Sequence, residues 1–174
     1  GDEFRHGDLE HSEFQIQYNY KTDFHTRLLG FEYIDDAYSA FNIYNQDGQI
    51  LHESIFSGEN KTHKRIQYSL FFHDQFIISD QNEFALGLRY INNGKLLGSA
   101  SYLLKHKSGY NIRTTFSSGY REPSLKELYY QWVDHTPHIY GNPNLDPTTN
   151  NNFSVSFDKR TPLNDFSIDF YSND

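Results

Sequence analysis

Lys64-Arg65-Ile66-Gln67-Tyr68-Ser69-Leu70-Phe71-Phe72-His73-Asp74-Gln75-Phe76-Ile77-Ile78-Ser79 is the stretch that decides the fold class. In an extended chain, side chains point to alternate faces. Ile66, Tyr68, Leu70, Phe72, Phe76 and Ile78 then share one side. Arg65, Gln67, Ser69, His73 and Gln75 share the other, and Asp74 interrupts the apolar row. The segment reads as a long strand with one apolar and one polar face. Its length suits a tilted crossing of a bilayer, which takes about 9–11 residues.

The same period recurs on either side. Phe14, Ile16, Tyr18 and Tyr20 alternate with Gln15, Gln17 and Asn19, and Leu29, Phe31 and Tyr33 alternate with Gly30 and Glu32. Phe84, Leu86, Leu88 and Tyr90 alternate with Glu83, Ala85, Gly87 and Arg89. Further strands are predicted at Leu97–His106, Tyr110–Tyr120, Asn152–Arg160 and Phe166–Tyr171, giving about eight. The connections Lys21–His25, Ser79–Asn82, Lys107–Gly109 and Thr161–Asn164 are short and rich in turn formers. Asp35–His63 and Arg121–Asn151 are long, with Ile91–Leu96 a shorter exception. Short and longer connections alternate, as in a barrel with tight turns on one side of a membrane and extended loops on the other.

Composition agrees. Hydrophobic residues make up 36% and mean hydropathy is -0.77, yet aromatics reach 17%, with 15 Phe and 14 Tyr. No apolar run approaches the roughly 18 residues of a membrane helix, so a closed β-barrel is the remaining way through a bilayer. A soluble β-sandwich would share the alternation, but has no reason to sort its loops by side. Cysteine is absent, and a net charge of -8 argues against a nucleic-acid surface. Gly1-Asp2-Glu3-Phe4 is polar and unlike a signal peptide. With all tight turns on one side, both chain ends fall on the long-loop side. Residues 1–174 are therefore expected to be an internal fragment of a larger barrel. The expected fold is all-β: an antiparallel up-and-down transmembrane barrel, here a partial wall of about eight strands.

The long loop after Tyr110–Tyr120 carries the chemistry. It begins Tyr120-Arg121-Glu122-Pro123-Ser124-Leu125-Lys126-Glu127-Leu128-Tyr129 and ends Gly141-Asn142-Pro143-Asn144-Leu145-Asp146-Pro147. Pro123 holds its predecessor extended, and Ser124 with Glu127 three residues on is a capping-box pattern, so a short helix is expected over Leu125–Trp132. The Asn-Pro-Asn-Leu-Asp-Pro run suits rigid turns. Loop architecture explains both runs without any ligand contact.

Together these runs resemble the paired Phe-Arg-Ala-Pro and Asn-Pro-Asn-Leu boxes of TonB-dependent outer-membrane receptors. Tyr120 stands for the usual Phe and Glu122 for the usual Ala; Arg121, Pro123, Asn142, Pro143, Asn144 and Leu145 match. The resemblance is clear over roughly 65–174 and compatible before that. It implies a 22-stranded barrel in the outer membrane of a Gram-negative bacterium, plugged by a domain that these residues do not include. Its partners would be outer-membrane lipid, and TonB with its inner-membrane energising complex through a segment not among these residues. The ligand would be a scarce iron complex, haem or ferric siderophore, with cobalamin or another ligand as the alternative. No cofactor is built in; haem or ferric siderophore would be cargo.

Between the boxes lie His135 and His138, an interval where haem receptors of this family commonly carry a functional His, and imidazole is a natural haem-iron ligand. Trp132, Tyr129, Tyr130 and Tyr140 could stack on a porphyrin, and Arg121 could pair with a propionate. An exposed loop His is the plainer account of both histidines. Asp35-Asp36 and Asp47-Gly48 lack a full calcium loop and read as turn chemistry. Asn60-Lys61-Thr62 and Asn152-Phe153-Ser154 fit a glycosylation sequon, relevant only in a eukaryotic secretory setting. A structural or adhesive barrel would need both ends on the tight-turn side. A soluble carbohydrate-binding sandwich leaves the paired boxes unexplained. No nucleophile signature points to an enzyme.

Overall fold

The computed structural model describes residues 3–46, 49–54, 62–132 and 139–174. β1 (Glu3–Lys21) and β2 (His25–Gln46) open the chain, and β3 (Gln49–Ser54) folds back on the end of β2, pairing Phe41 with Ser54 and Gln46 with Gln49. β4 (Thr62–Ser79), β5 (Asn82–Ile91), β6 (Lys95–Lys105) and β7 (Tyr110–Arg121) follow as a meander. After α1 (Leu125–Tyr129) and the two-residue strands β8 (Gln131–Trp132) and β9 (Ile139–Tyr140), the chain returns as β10 (Thr148–Arg160) and β11 (Asp165–Asn173). The main sheet runs β1-β2-β4-β5-β6-β7-β10-β11, with β3 off that path on β2; β8 pairs separately with β9. From β4 to β11 each pairing in this sheet is antiparallel and joins neighbours in sequence apart from the loop insertions, which is up-and-down topology.

Period-two alternation fixes the register. Leu70 faces Tyr90, Phe72 faces Leu88 and Phe76 faces Phe84 across β4 and β5. The row continues from Leu86 to Ala100, Phe116 and Phe153. Ile66 and Leu70 are 53% and 54% exposed, so this apolar row meets no protein layer. The opposite face carries paired polar groups. Arg89 bridges to Glu32 at 2.9 Å while Ser69 donates to the same carboxylate at 3.2 Å. Gln75 and Lys105 share Glu83, and Asn111 donates to Asp158 at 2.8 Å. Arg65 likewise turns away from the face of Ile66, as the alternation requires.

Contacts divide the chain into two compact units. One comprises Gly1–Phe14, Tyr33–Gln67 and Glu122–Pro147; the other comprises Gln15–Glu32, Tyr68–Arg121 and Thr148–Asp174. In the second, Gly30 makes room for a ring, because a Cβ there would lie 2.2 Å from Phe71 Cζ. The first holds a small conventional core of Tyr38, Ala40 and Leu125, with Leu128, Tyr129 and Tyr130 packed against it.

Three expectations need correction. Asp35–His63 is not an open connection: β2 runs to Gln46 and β3 extends the ladder, because alternation continues through Ile34, Asp36, Tyr38 and Ala40. Asp36 is therefore not a turn residue but a buried strand residue. The helix stops at Tyr129, not Trp132, where Tyr130 turns extended at ψ 135° and Gln131 enters a strand pair. His135, His138, Asp47, Gly48, Asn60 and Lys61 lie outside the described residues.

Candidate functional site

The loop between β7 and β10 is built around the cap of α1. Ser124 is extended at φ -66° and ψ 155°, and its hydroxyl accepts from the Glu127 amide at 3.2 Å. Glu127 Oε2 in turn accepts from the Ser124 amide at 2.8 Å, completing the reciprocal pair that the sequence pattern implies. Five residues are too few to hold a helix by propensity, so tertiary packing must hold this one. Leu125 supplies it, inserting beside Tyr38 and Ala40; Tyr38 is 2% exposed and Leu125 4%.

The second box docks on the end of this helix. Gly141 donates to the Tyr130 carbonyl at 2.5 Å, and the Asn142 amide donates to the Glu127 carbonyl at 3.0 Å. A side chain at Gly141 would sit 2.7 Å from Leu128 backbone atoms, so glycine is what permits the approach. Asn142 then makes a local turn: its side-chain oxygen accepts from the Asn144 amide at 3.0 Å, and its carbonyl from Leu145 at 3.2 Å. The two boxes thus brace one another.

Arg65 ties the first box to β2. One guanidinium nitrogen donates to the Pro123 carbonyl at 2.6 Å, and another to Asp36 Oδ2 at 2.6 Å. Glu122 lies 3.7 Å from the first nitrogen. Arg65 Nε is buried without a protein partner among the described residues. His11 Nδ1 meets the other Asp36 oxygen at 2.7 Å, and its Nε2 lies 3.8 Å from Glu13. Counted from the turn at Thr22–Phe24, about ten residues reach Ser12 on β1 and Ile34 on β2, so His11 and Asp36 lie beyond the length of a bilayer crossing. Burial pushes the Asp36 carboxyl up, but hydrogen bonds and charge from His11 and Arg65 outweigh it and hold it below the ordinary carboxylate value. The Asp36 hydrogen bond raises the His11 imidazole above its own ordinary value, against a smaller opposing effect of burial. His63, at the same end of β4, stacks on Tyr129 with centroids 3.6 Å apart, and burial lowers its pKa.

A cleft of about 280 Å³ opens beside the helix, between Ser124, Lys126, Tyr130, Ile139, Tyr140 and Gly141. The Lys126 ammonium sits 5.0 Å from the Tyr130 ring centroid. Tyr130 and Tyr140 therefore meet in this cleft, whereas Tyr129 is packed between His63 and the loop core. Tyr120 and Arg121 end β7 in the other unit, where the Tyr120 hydroxyl accepts from Asn93 at 2.5 Å. Trp132 pairs with Ile139 between β8 and β9. Lys126 and Arg65 were missed as parts of the site. Lys126 follows the cap by two positions, so the capping pattern could have drawn notice to it. Arg65 had no local signal, because its partners lie 29 and 58 residues away.

Comparison with known proteins fits this geometry. A family model described as "TonB dependent receptor-like, beta-barrel" matches residues 2–174. No curated protein matches the sequence closely enough to count as a relative. Among solved structures, the siderophore receptor PirA from Acinetobacter baumannii superposes with a TM-score of 0.73 at 16% identity, covering 96% of this chain and 27% of that one. PirA from Pseudomonas aeruginosa gives 0.73 at 15% identity, covering 98% and 33%. The copper transporter OprC gives 0.72 at 10% identity, covering 97% and 30%. Identities this low speak for the fold alone, and the chain spans about a third of each of these proteins. The family is one of transport receptors, not enzymes. Paired boxes, an up-and-down sheet and a family match over nearly the whole length converge on one conclusion: this chain belongs to the TonB-dependent receptors, through their β-barrel domain.

Proposed function

We propose that residues 1–174 form an internal stretch of the wall and external pocket of a receptor in the outer membrane of a Gram-negative bacterium. The receptor binds an anionic iron complex, haem or a ferric siderophore, and imports it with energy delivered by TonB. The apolar row from Ile66 through Leu88 to Phe116 and Phe153 meets lipid tails, and the ion-paired face turns to the lumen. One observation carries the ligand reading: the loop cleft sets an ammonium, Lys126, among the rings of Tyr130 and Tyr140. A cation flanked by aromatic faces suits a flat ligand with peripheral negative charge. The siderophore receptors among the structural neighbours support an iron complex, and His135 with His138 supply imidazoles for haem iron if haem is the cargo.

The test is titration of the full-length receptor with haemin and with ferric siderophores of catecholate and hydroxamate type. The true ligand should bind, and a Lys126→Ala, Tyr140→Ala double variant should weaken it by about tenfold or more. A His135→Ala, His138→Ala variant separates the two cargoes: loss of the Soret shift assigns haem. Full affinity in the Lys126→Ala, Tyr140→Ala variant would remove the cleft from the reading.

A further inference from the structure

One carboxylate interrupts the apolar row of β4. Asp74 pairs in register with Leu86, in the row that includes Phe72, Leu88 and Phe76. Its side chain is only 4% exposed and meets two groups from β2. Arg27 Nε donates to Asp74 Oδ2 at 2.8 Å, and His25 Nδ1 lies 3.3 Å from Asp74 Oδ1. That same His25 nitrogen is 3.3 Å from an Arg27 terminal nitrogen, and the imidazole packs edge-on against Phe76 at 4.9 Å. Leu29, two residues along β2 from Arg27, is exposed on this face, as are Tyr18 and Tyr20 on β1. A carboxylate in such surroundings is costly unless paired, and Arg27 with His25 supplies the pairing.

Arg27 has capacity left over. Nε serves Asp74 and one terminal nitrogen approaches His25; among the described residues, nothing pairs with the remaining terminal nitrogen, and the side chain is 46% exposed. Arg27 is also the third residue of β2, close to the turn at Thr22–Phe24, where the hydrocarbon gives way to headgroups. A guanidinium held on its Nε edge by a carboxylate presents its other N–H groups as a fork, the geometry that fits phosphate.

We propose that Arg27, positioned by Asp74 and His25, binds the phosphate of a glycerophospholipid in the leaflet on the tight-turn side. Asp74 orients the guanidinium, and the flanking tyrosines and Leu29 take the glycerol and upper acyl carbons. This site rests on the reading of the apolar face as lipid-facing. It is separate from the loop cleft, being in the other unit.

The experiment uses the full-length receptor in phosphatidylglycerol nanodiscs. A phosphatidylglycerol carrying a photoreactive diazirine beside the phosphate should label peptides containing Tyr20–Leu29 and Phe72–Phe76 well above other turn-side peptides. After transfer to detergent, native mass spectrometry should show the wild type retaining one phospholipid that Arg27→Gln loses. Affinity for short-chain phosphatidylglycerol should fall about tenfold in that variant, as for one charge-assisted contact. Inorganic phosphate at equal concentration should not displace the lipid; displacement would overturn the lipid assignment. Labelling spread evenly around the rim of the unaltered receptor would overturn the site without any variant, so a misfolded Arg27→Gln leaves it open to refutation. A receptor that does not enter bilayers sinks both this site and the membrane reading; one that inserts yet labels indiscriminately sinks the site alone.

Discussion

The two units of this chain are stabilised in opposite ways. In the unit containing Tyr68–Arg121, Leu88, Tyr90, Tyr102, Phe116 and Phe153 stand exposed on one face, and among the described residues of that unit Ile91 is the only buried apolar side chain. Its order comes from ladder hydrogen bonds and from polar pairs such as Arg89 with Glu32. The unit containing the box loop instead excludes water around Tyr38, Ala40 and Leu125, and locks its backbone with Arg65. One unit is a wall with its apolar side chains outward; the other is a miniature globule with them inward. Substitutions should therefore act by different rules in each.

The largest effect should come from Arg65→Ala. It leaves Asp36 buried with one partner fewer and frees the Pro123 carbonyl. Removing one member of a buried pair costs about 3–5 kcal/mol. Amide exchange at Leu125–Tyr129 in the full-length receptor should accelerate by about a hundredfold or more, while wall amides such as those of β6 stay unchanged. Uniform acceleration in both would mean that the loop has no stability of its own.

Next comes a matched pair of leucines. Leu125→Ala should destabilise the loop by about 2–5 kcal/mol, because it opens a cavity in a water-excluding core. Leu88→Ala should change wall stability in lipid by less than about 1 kcal/mol, because lipid tails are as apolar as leucine and refill the space. Urea titration of vesicle-inserted receptor reads the second, and loop proteolysis the first. Equal costs would show that Leu88 meets protein, not lipid.

Much of this contrast is legible in the sequence, and where it is not the reason is physical. The wall follows from alternation alone: Ile66 to Ile78 and Phe84 to Tyr90 stand on the faces that their spacing dictates. The cap is equally local, since Ser124 and Glu127 are three residues apart and the capping box forms as the pattern implies. Asp36 fails because two adjacent acids look like a turn when Arg65 is out of view. A buried charge is intelligible only with its partner, and no window along the chain contains both. The cluster of Asp74, Arg27 and His25 is half legible. Asp74 visibly breaks its row, but Arg27 lies 47 residues away, and only strand pairing brings the two together. Which box residues line a cleft and which brace the loop is likewise a tertiary fact: Tyr129 and Tyr130 are neighbours in sequence, yet Tyr129 stacks on His63 and Tyr130 lines the opening.

A smaller effect tests the cap. Ser124→Ala removes the acceptor for the Glu127 amide and should cost about 1 kcal/mol, raising loop exchange roughly fivefold. Ser124→Asp should restore most of it. Because α1 has only five residues, a loss confined to its first turn would show that Leu125 packing holds the rest.

The smallest effect is a pH dependence, and its sign follows from the two partners. Asp36 is held below the ordinary carboxylate value, so its contribution is present above that ordinary value and fades as pH falls through the lowered one. His11 is raised above 6.5, so its contribution is complete below 6.5 and fades as pH rises through the raised value. The Arg65–Asp36 contact persists through that upper window, and Glu13 stands near the same imidazole. Loop protection factors, exchange normalised to the intrinsic rate at each pH, should therefore be highest in mildly acidic buffer and fall slightly in alkaline buffer, by less than Ser124→Ala produces. In His11→Gln the alkaline change should vanish while the acid change, set by Asp36, remains. An alkaline fall of full size in that variant would assign the titration to another group, and the link between β1 and Asp36 would then contribute nothing to holding the box loop.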